Sequence, residues 1–168
     1  MDNAEAKKAE IVQMIAAVDW SCYETVYGNA AQDIPYYVDI GDGRGYIPKV
    51  ACSLQDLLAE DQMTALRASH DLWCGLCHQH AQVASAALPA FTILFEALQN
   101  VRDNVKVEIL DIFYGFAVCT AGETSLVPWT GQLRAELKAH LADFQTLALH
   151  ADEDIAAFAQ NIVEELEA

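Results

Sequence analysis

Apolar residues recur every three or four positions along most of the chain, with polar residues between them. This spacing puts the apolar side chains on one face of a helix, so it predicts amphipathic α-helices. The first predicted helix runs from Asn3, a candidate N-cap, to about Trp20. No stretch shows the sustained alternation of a half-buried strand, and the chain is therefore predicted to be all-α. Further helices are predicted over 33–40, 49–60, 62–78, 86–100, 104–118, 128–149 and 153–168.

Turn and cap residues separate these predicted helices. The stretch "GDGRG" at 41–45 places three glycines in five residues, which favours a loop. Short polar side chains that can accept hydrogen bonds from the first turn of a helix, or a proline that fits that turn, precede the later segments. The residues predicted to begin or cap those helices are Asp33, Asp61, Ser85, Asp103, Pro128 and Asp152.

Three segments share a plan in which an acidic turn precedes a helix whose first apolar residue lies just inside the cap. The matching apolar residues are Met63, Val105 and Ile155. Their separations are close to the about 40–47 residues of HEAT-type helix pairs, which bury their apolar faces by stacking on one another. We therefore predict a single domain over residues 1–168, built as a short α-solenoid of HEAT-like antiparallel helix pairs. An irregular helical bundle is the alternative.

The charge of the chain bears on its partners. It carries 25 acidic residues against 9 Lys and Arg, a net charge of −16. Nucleic-acid binding depends on cations that neutralise phosphates, so that class is excluded, whereas a basic protein partner is favoured. Simple solubility is the alternative explanation of the charge. No apolar run is long enough for a membrane span, no secretory signal is recognised, and the five cysteines are expected as free thiols. The chain is predicted to be cytoplasmic.

The most conspicuous motif is "LWCGLCHQH" at 72–80. Its Cys-x-x-Cys-His spacing is that of c-type haem attachment, and the two cysteines alone have the spacing of a redox dithiol. Haem attachment belongs to exported proteins, and a redox pair needs a helix N-terminus, where a thiolate is stabilised. Structural zinc sites usually draw ligand pairs from separated segments. A zinc site would use Cys74, Cys77, His78 and His80.

A structural role for this motif is favoured over these alternatives. Trp73 and Cys77 are expected to pack against a neighbouring helix, while His78 and Gln79 hydrogen-bond the helix end and the following loop. No cofactor is predicted. The chain also has no P-loop, Gly-x-Ser-x-Gly or His-Glu-x-x-His pattern, so we predict that it is not an enzyme.

The stretches "YGNAAQDIP" at 27–35 and "LRASHDLWCGLCHQHAQVASAALPAFTILFEAL" at 66–98 resemble a family of small bacterial HEAT-like repeat proteins. Several HEAT-like families of this size serve as immunity partners that bind bacterial toxins in the cytoplasm. The resemblance thus implies a non-catalytic binding module. The chain departs from the family pattern in the long stretch "YYVDIGDGRGYIPKV" and in His80, which stands where glycine is common.

Two regions are candidate partner-binding surfaces. The first is the loop "PYYVDIGDGRGY" at 35–46, which is rich in tyrosine, a residue enriched at interface hot spots. The second is the C-terminal third, which has no Lys or Arg after Lys138. The alternatives are that the tyrosines pack on the first helix and that the acidic third is a solubilising cap. We predict an immunity protein that neutralises a toxin with a basic surface; a metal- or haem-binding protein and a generic scaffold are the rivals. The predicted contact residues are Tyr36, Tyr37, Asp39, Asp42, Arg44, Tyr46, Asp152, Glu153 and Asp154.

Overall fold

The computed structural model describes residues 3–35, 43–122 and 127–168, and most of these residues are helical. The prediction of a mainly helical chain is therefore confirmed. No helix within the described ranges is both long enough and apolar enough to span a membrane. The helices there are α1 Asn3–Ala17, α2 Val50–Asp56, α3 Gln62–Cys77, α4 Ala87–Leu98, α5 Asp103–Cys119, α6 Pro128–Ala139, α7 Leu141–Leu147 and α8 Glu153–Glu167.

Two very short antiparallel hairpins interrupt the helical chain between α1 and α2. In the first, β1 (Glu24–Thr25) pairs with β2 (Gly28–Asn29). In the second, β3 (Ile34–Pro35) pairs with β4 (Tyr46–Ile47). Strands of two residues are too short to produce an alternating pattern, which explains why the hydrophobic periodicity did not reveal them.

The prediction of a helix over 33–40 is wrong at its start, because Ile34–Pro35 forms a strand. Asp33 does not cap a helix: its carboxylate accepts a hydrogen bond from the backbone N–H of Lys49 at 3.0 Å. The bond closes the base of the second hairpin. Residues 36–42 lie outside the described residues.

Two of the predicted N-caps are confirmed by their hydrogen bonds. The Asp61 carboxylate accepts from the backbone N–H of Thr64 at 2.8 Å, so it caps α3. The Asp152 carboxylate accepts from the N–H groups of Asp154 and Ile155 at 3.0 and 3.1 Å, so it caps α8. Each carboxylate satisfies N–H groups that have no partner within the helix.

The predicted cap at Ser85 is wrong. Its hydroxyl accepts from the backbone N–H of Glu24 at 2.9 Å, which ties the first hairpin to the start of α4. The helix itself begins at Ala87 with no side-chain cap. A residue type that suits an N-cap is thus used here for a long-range contact.

The prediction of one long helix over 128–149 is also wrong, although its start at Pro128 is confirmed. His140 leaves the helical conformation at φ −101° and ψ 16°, which divides the segment into α6 and α7. The His140 ring stacks on Phe95 with 3.9 Å between ring centroids, and its Nδ1 lies 3.0 Å from the Asp143 carboxylate. Packing against the core therefore overrides the helical pattern at this residue.

Helix α5 lies at the centre of the core, in contact with α3, α4, α6 and α8. Fully buried phenylalanines fill the space between these helices, with the Phe91 and Phe113 ring centroids 4.9 Å apart. The proposed repeat register fails in its first unit. Val105 and Ile155 are buried, as predicted, whereas Met63 is 71% exposed.

Arg134 of α6 joins the ends of two other helices. Its Nη1 donates to the carbonyl oxygen of Ala117 at 3.0 Å, and its Nη2 donates to that of Glu165 at 2.8 Å. These carbonyls belong to the last turns of α5 and α8, where the negative end of the helix dipole attracts a cation. The guanidinium therefore holds α5, α6 and α8 together.

Replacing Arg134 with Met should lower the free energy of unfolding by about 2 kcal/mol, because two charge-assisted hydrogen bonds are lost. Urea unfolding measures this change. Lys138→Met is the matched control, since it removes the same charge from an exposed position of the same helix. Equal losses in the two variants would show that charge alone, and not the two hydrogen bonds, is responsible.

Candidate functional site

A cleft of about 310 Å³ lies between the second hairpin and helices α2 and α3. We call it the hairpin cleft. It contains two of the predicted contact residues, Arg44 and Tyr46, and Tyr46 is 38% exposed. The residues that line it are Asp33, Arg44, Tyr46, Pro48, Lys49, Cys52, Asp56, Thr64, Arg67, Ala68 and Asp71.

An ion pair between Arg44 and Asp71 fixes one wall of the hairpin cleft. The two terminal guanidinium nitrogens of Arg44, Nη1 and Nη2, donate to the two carboxylate oxygens of Asp71, at 2.9 and 2.8 Å. The Asp71 side chain is only 5% exposed and that of Arg44 17%. A two-point bond of this kind sets both position and orientation, so it holds the hairpin on α3. The Arg44 guanidinium also lies 5.9 Å from the centre of the Tyr46 ring.

Two further cations line the hairpin cleft. The side chains of Lys49 and Arg67 are exposed, and neither makes a hydrogen bond or an ion pair with another residue in the described part of the chain. With Arg44, they make three of the nine Lys and Arg residues of a chain with net charge −16. The hairpin cleft is thus a mixed-charge surface on an otherwise acidic protein. Neither Lys49 nor Arg67 was among the contact residues predicted from the sequence.

Of the other predicted contact residues, those that the structure describes do not line this cleft. Tyr36, Tyr37, Asp39 and Asp42 lie outside the described residues, between Pro35 and Gly43 of the second hairpin. Asp152 is the N-cap of α8 and accepts its capping hydrogen bonds, while Glu153 and Asp154 are exposed in the first turn of that helix. Within ranges 3–35, 43–122 and 127–168, the described parts of the two predicted surfaces do not line one cleft.

A smaller cleft, of about 210 Å³, lies between α1 and the segments 57–65 and 100–105. Its walls include Leu57, Val101 and Val105, with Lys8 and Arg102 also lining it. None of the predicted site residues lines this cleft.

The side chains of the 72–80 motif contact separate parts of the structure and do not converge on one site. Cys77 is fully buried, and its Sγ donates to the carbonyl oxygen of Trp73 at 3.4 Å. His78 Nδ1 lies 3.0 Å from the hydroxyl of Tyr27, which belongs to the turn of the first hairpin. Gln79 is exposed and makes no side-chain hydrogen bond with any other described residue.

The remaining candidate metal ligands are also separated. Cys74 Sγ lies 3.6 Å from His70 Nε2, and His80 Nε2 lies 2.8 Å from the Asp111 carboxylate. Among the described residues, no group of three or more His, Cys, Asp or Glu side chains has the geometry of a metal site. Burial raises the pKa of Cys77 to about 12 and also raises that of Cys74. Redox dithiols need the opposite shift, because the thiolate is the reactive form.

The turn after α3 has an uncommon backbone. Three consecutive residues, His78, Gln79 and His80, have φ values of 36°, 55° and 62°, in the left-handed region that favours glycine. At His80 the side chain makes a contact that glycine could not make. Its ring compensates for the conformation, because it packs edge-on against Tyr114 with 5.1 Å between centroids.

Gly115 of α5 makes room for this turn. A Cβ atom at that position would lie 2.7 Å from both Cys77 Sγ and His80 Cδ2, closer than non-bonded atoms approach. The end of α3 and the His80 ring therefore rest directly on the backbone of α5.

Two acidic residues of α5 were not among the predicted site residues: Asp111, which contacts His80, and Glu108, one turn before it. Burial raises the pKa of Asp111, against the opposing effect of His80, and burial followed by the Asp111 charge raises that of Glu108. Both side chains are half-buried on α5. The available signal was two acidic residues three positions apart within an otherwise apolar stretch, which places them on one helix face.

No family model matches the chain, and no curated protein or solved structure is significantly similar to it.

Replacing Gly115 with Ala should lower the free energy of unfolding by about 1–3 kcal/mol, because the new methyl overlaps Cys77 and His80. The matched control is Gly75→Ala in α3. A Cβ there would make ordinary contacts of 3.7 and 3.8 Å with Thr25, and the change should add about 0.5–1 kcal/mol through helix propensity. Chemical denaturation measures both. Changes of the same sign in the two variants would contradict this packing.

Replacing Glu108 with Gln should raise the melting temperature at pH 7. The pKa of Glu108 is raised in the folded protein, so the folded state binds its proton more tightly than the unfolded state does. Its charge thus costs stability at neutral pH, and the cost disappears as pH falls through the raised pKa toward the ordinary value of 4.5.

Thermal unfolding at pH 7 and pH 4 checks this prediction: the advantage of the Glu108→Gln variant should shrink at the lower pH. Glu153→Gln is the control, since that exposed acid in the first turn of α8 favours the helix dipole and its loss should be slightly destabilising. A Glu108→Gln variant that melts below the unaltered protein at pH 7 would contradict the assignment.

Proposed function

We propose that this protein is a non-catalytic protein-binding module and that the hairpin cleft is part of its binding surface. The observation that carries the proposal is the Arg44–Asp71 ion pair, which fixes Arg44 and the adjoining strand β4 against α3 beside an open cleft. A preorganised surface loses less conformational entropy when a partner binds. A binding loop benefits from such preorganisation, whereas a surface loop that contacts only solvent does not need it.

The chemistry of the cleft supports the same proposal. Tyr46 and Arg67 are of the residue types that dominate interface hot spots, and both are accessible. One candidate nucleophile–base pair is Cys74 with His70, whose Sγ and Nε2 atoms lie 3.6 Å apart. Burial raises the pKa of that thiol, which disfavours its nucleophilic form.

The specific version of the proposal is an immunity protein that binds a cognate bacterial toxin in the cytoplasm and covers its active site or substrate path. The sequence resemblance given above favours this class. The net charge of −16 suits a toxin with a basic surface, since complementary charge accelerates encounter.

We also propose that the helices stack as a short HEAT-like solenoid. Chain neighbours α2 and α3, α4 and α5, and α7 and α8 pack against each other. The second helices of these pairs then follow one another in space, because α5 contacts both α3 and α8. Such an order suits stacked helix pairs, with α3 and its hairpin at one end of the stack.

Affinity capture with variants tests the binding proposal. The tagged protein is used to capture partners from the lysate of its own cells, in parallel with a Tyr46→Ala/Arg67→Ala variant. We expect one stoichiometric partner, whose affinity falls about tenfold or more in the variant because two hot-spot side chains are lost. The partner expressed alone should arrest growth, and co-expression of the unaltered protein should restore it.

The matched control is Met63→Ala/Arg102→Ala, which removes one large apolar and one arginine side chain from exposed positions outside the hairpin cleft. This variant should bind as the unaltered protein does. Equal binding by both double variants would place the interface elsewhere. A partner that is not toxic would contradict the immunity version while leaving the binding module in place.

A further inference from the structure

Four aromatic rings form a continuous row from α3 to α5, which we call the aromatic row. His70 lies 5.8 Å from Trp73, Trp73 lies 6.0 Å from His80, and His80 lies 5.1 Å from Tyr114, measured between ring centroids. His70 is exposed, and the other three rings are partly exposed. The row therefore presents aromatic surface to a partner.

Two half-buried carboxylates border the aromatic row on α5. Glu108 and Asp111 are three residues apart, which places them on the same helix face, about 5–6 Å between Cβ atoms. Asp111 accepts from His80 Nε2 at 2.8 Å. Trp73 Nε1 lies 3.3 Å from the same nitrogen, so the His80 ring lies between the indole and the carboxylate. The ring thus fixes Asp111 at the edge of the row.

Glu108 has a weaker partner: the His70 imidazole lowers its pKa, but by less than burial and the Asp111 charge raise it. It makes no hydrogen bond or ion pair with another residue in ranges 3–35, 43–122 and 127–168. Lys106, the lysine closest to it in the chain, instead pairs with Asp103 at 2.7 Å. A half-buried carboxylate that forms no ion pair is stabilised in its charged form when a cation comes close to it.

We infer that the aromatic row and its two carboxylates bind a cationic side chain, arginine or lysine, of the protein partner. A guanidinium or ammonium group is attracted to the faces of Trp and Tyr rings and forms charge-assisted hydrogen bonds with carboxylates. The surface supplies both kinds of contact side by side. This inference names the chemistry of the partner and rests on the proposed function only in assigning the cation to a protein.

The aromatic row is continuous with the hairpin cleft along α3. Arg67 lines the cleft, and His70 begins the row three residues later, so the two side chains are neighbours on one helix face. One partner surface can therefore cover both. The raised pKa of Glu108 agrees with this role, since the cost of its burial is offset when a cation binds.

A peptide titration tests the inference without the partner. The probe is a short peptide with two arginines separated by glycines, and the reference is the same peptide with neutral citrulline. Nitrogen–proton correlation spectra follow the indole N–H of Trp73, which the loss of one cross-peak in Trp73→Phe identifies. We expect the arginine peptide to shift this resonance and the citrulline peptide to leave it in place.

Glu108→Gln should weaken binding of the arginine peptide about fivefold, because one charge-assisted hydrogen bond is lost. The control Glu136→Gln removes the same charge from an exposed position of α6 and should leave the affinity unchanged. The inference would be overturned by equal weakening in the two variants, by equal shifts with the two peptides, or by no shift of the Trp73 indole.

These outcomes are separate from those of the proposed function. A captured partner that binds Glu108→Gln as tightly as the unaltered protein would end the inference and leave the binding module standing. Conversely, an arginine peptide that binds at Glu108 supports the inference even when capture yields no toxin.

Discussion

The close approach of α3 to α5 at Gly115 positions both candidate surfaces. Because position 115 has no side chain, Cys77 and the His80 ring lie directly against the α5 backbone. Helix α3 then presents Arg67 and Asp71 to the hairpin cleft and Trp73 to the aromatic row, while α5 supplies Glu108 to the row's edge. A change in this one contact would displace the groups on both helices together.

The close approach of α3 to α5 also explains the three left-handed residues that follow α3. Left-handed conformations outside glycine cost about 1–2 kcal/mol per residue, and they persist where the surroundings determine them. Here the determinants are the bond of His80 to Asp111, its contacts with Trp73 and Tyr114, and the space above Gly115. The turn thus contributes to the surface rather than only ending a helix, and glycine at position 80 would lack the ring that joins α3 to α5.

The preferences of single residues for helix caps and first turns correctly predicted the helix ends that depend only on neighbouring residues. Asp61 and Asp152 cap α3 and α8, and Pro128 begins α6, because each effect spans only a few positions. The hairpin and its ion pair escaped these rules, since Arg44 and Asp71 are 27 residues apart and two-residue strands have no period. Met63 and His140 were misjudged because tertiary packing decides whether an apolar side chain is buried and whether a helix continues.

The central claim is that one face, formed by the second hairpin, α3 and the middle of α5, binds a protein partner. Amide hydrogen exchange, compared between the free protein and its complex with a captured partner, tests this most directly. The account predicts new protection in residues 46–56, 64–74 and 107–114, with α8 unchanged. Protection confined to 152–167, with the hairpin and α3 unaffected, would contradict it and return the interface to the acidic C-terminal surface.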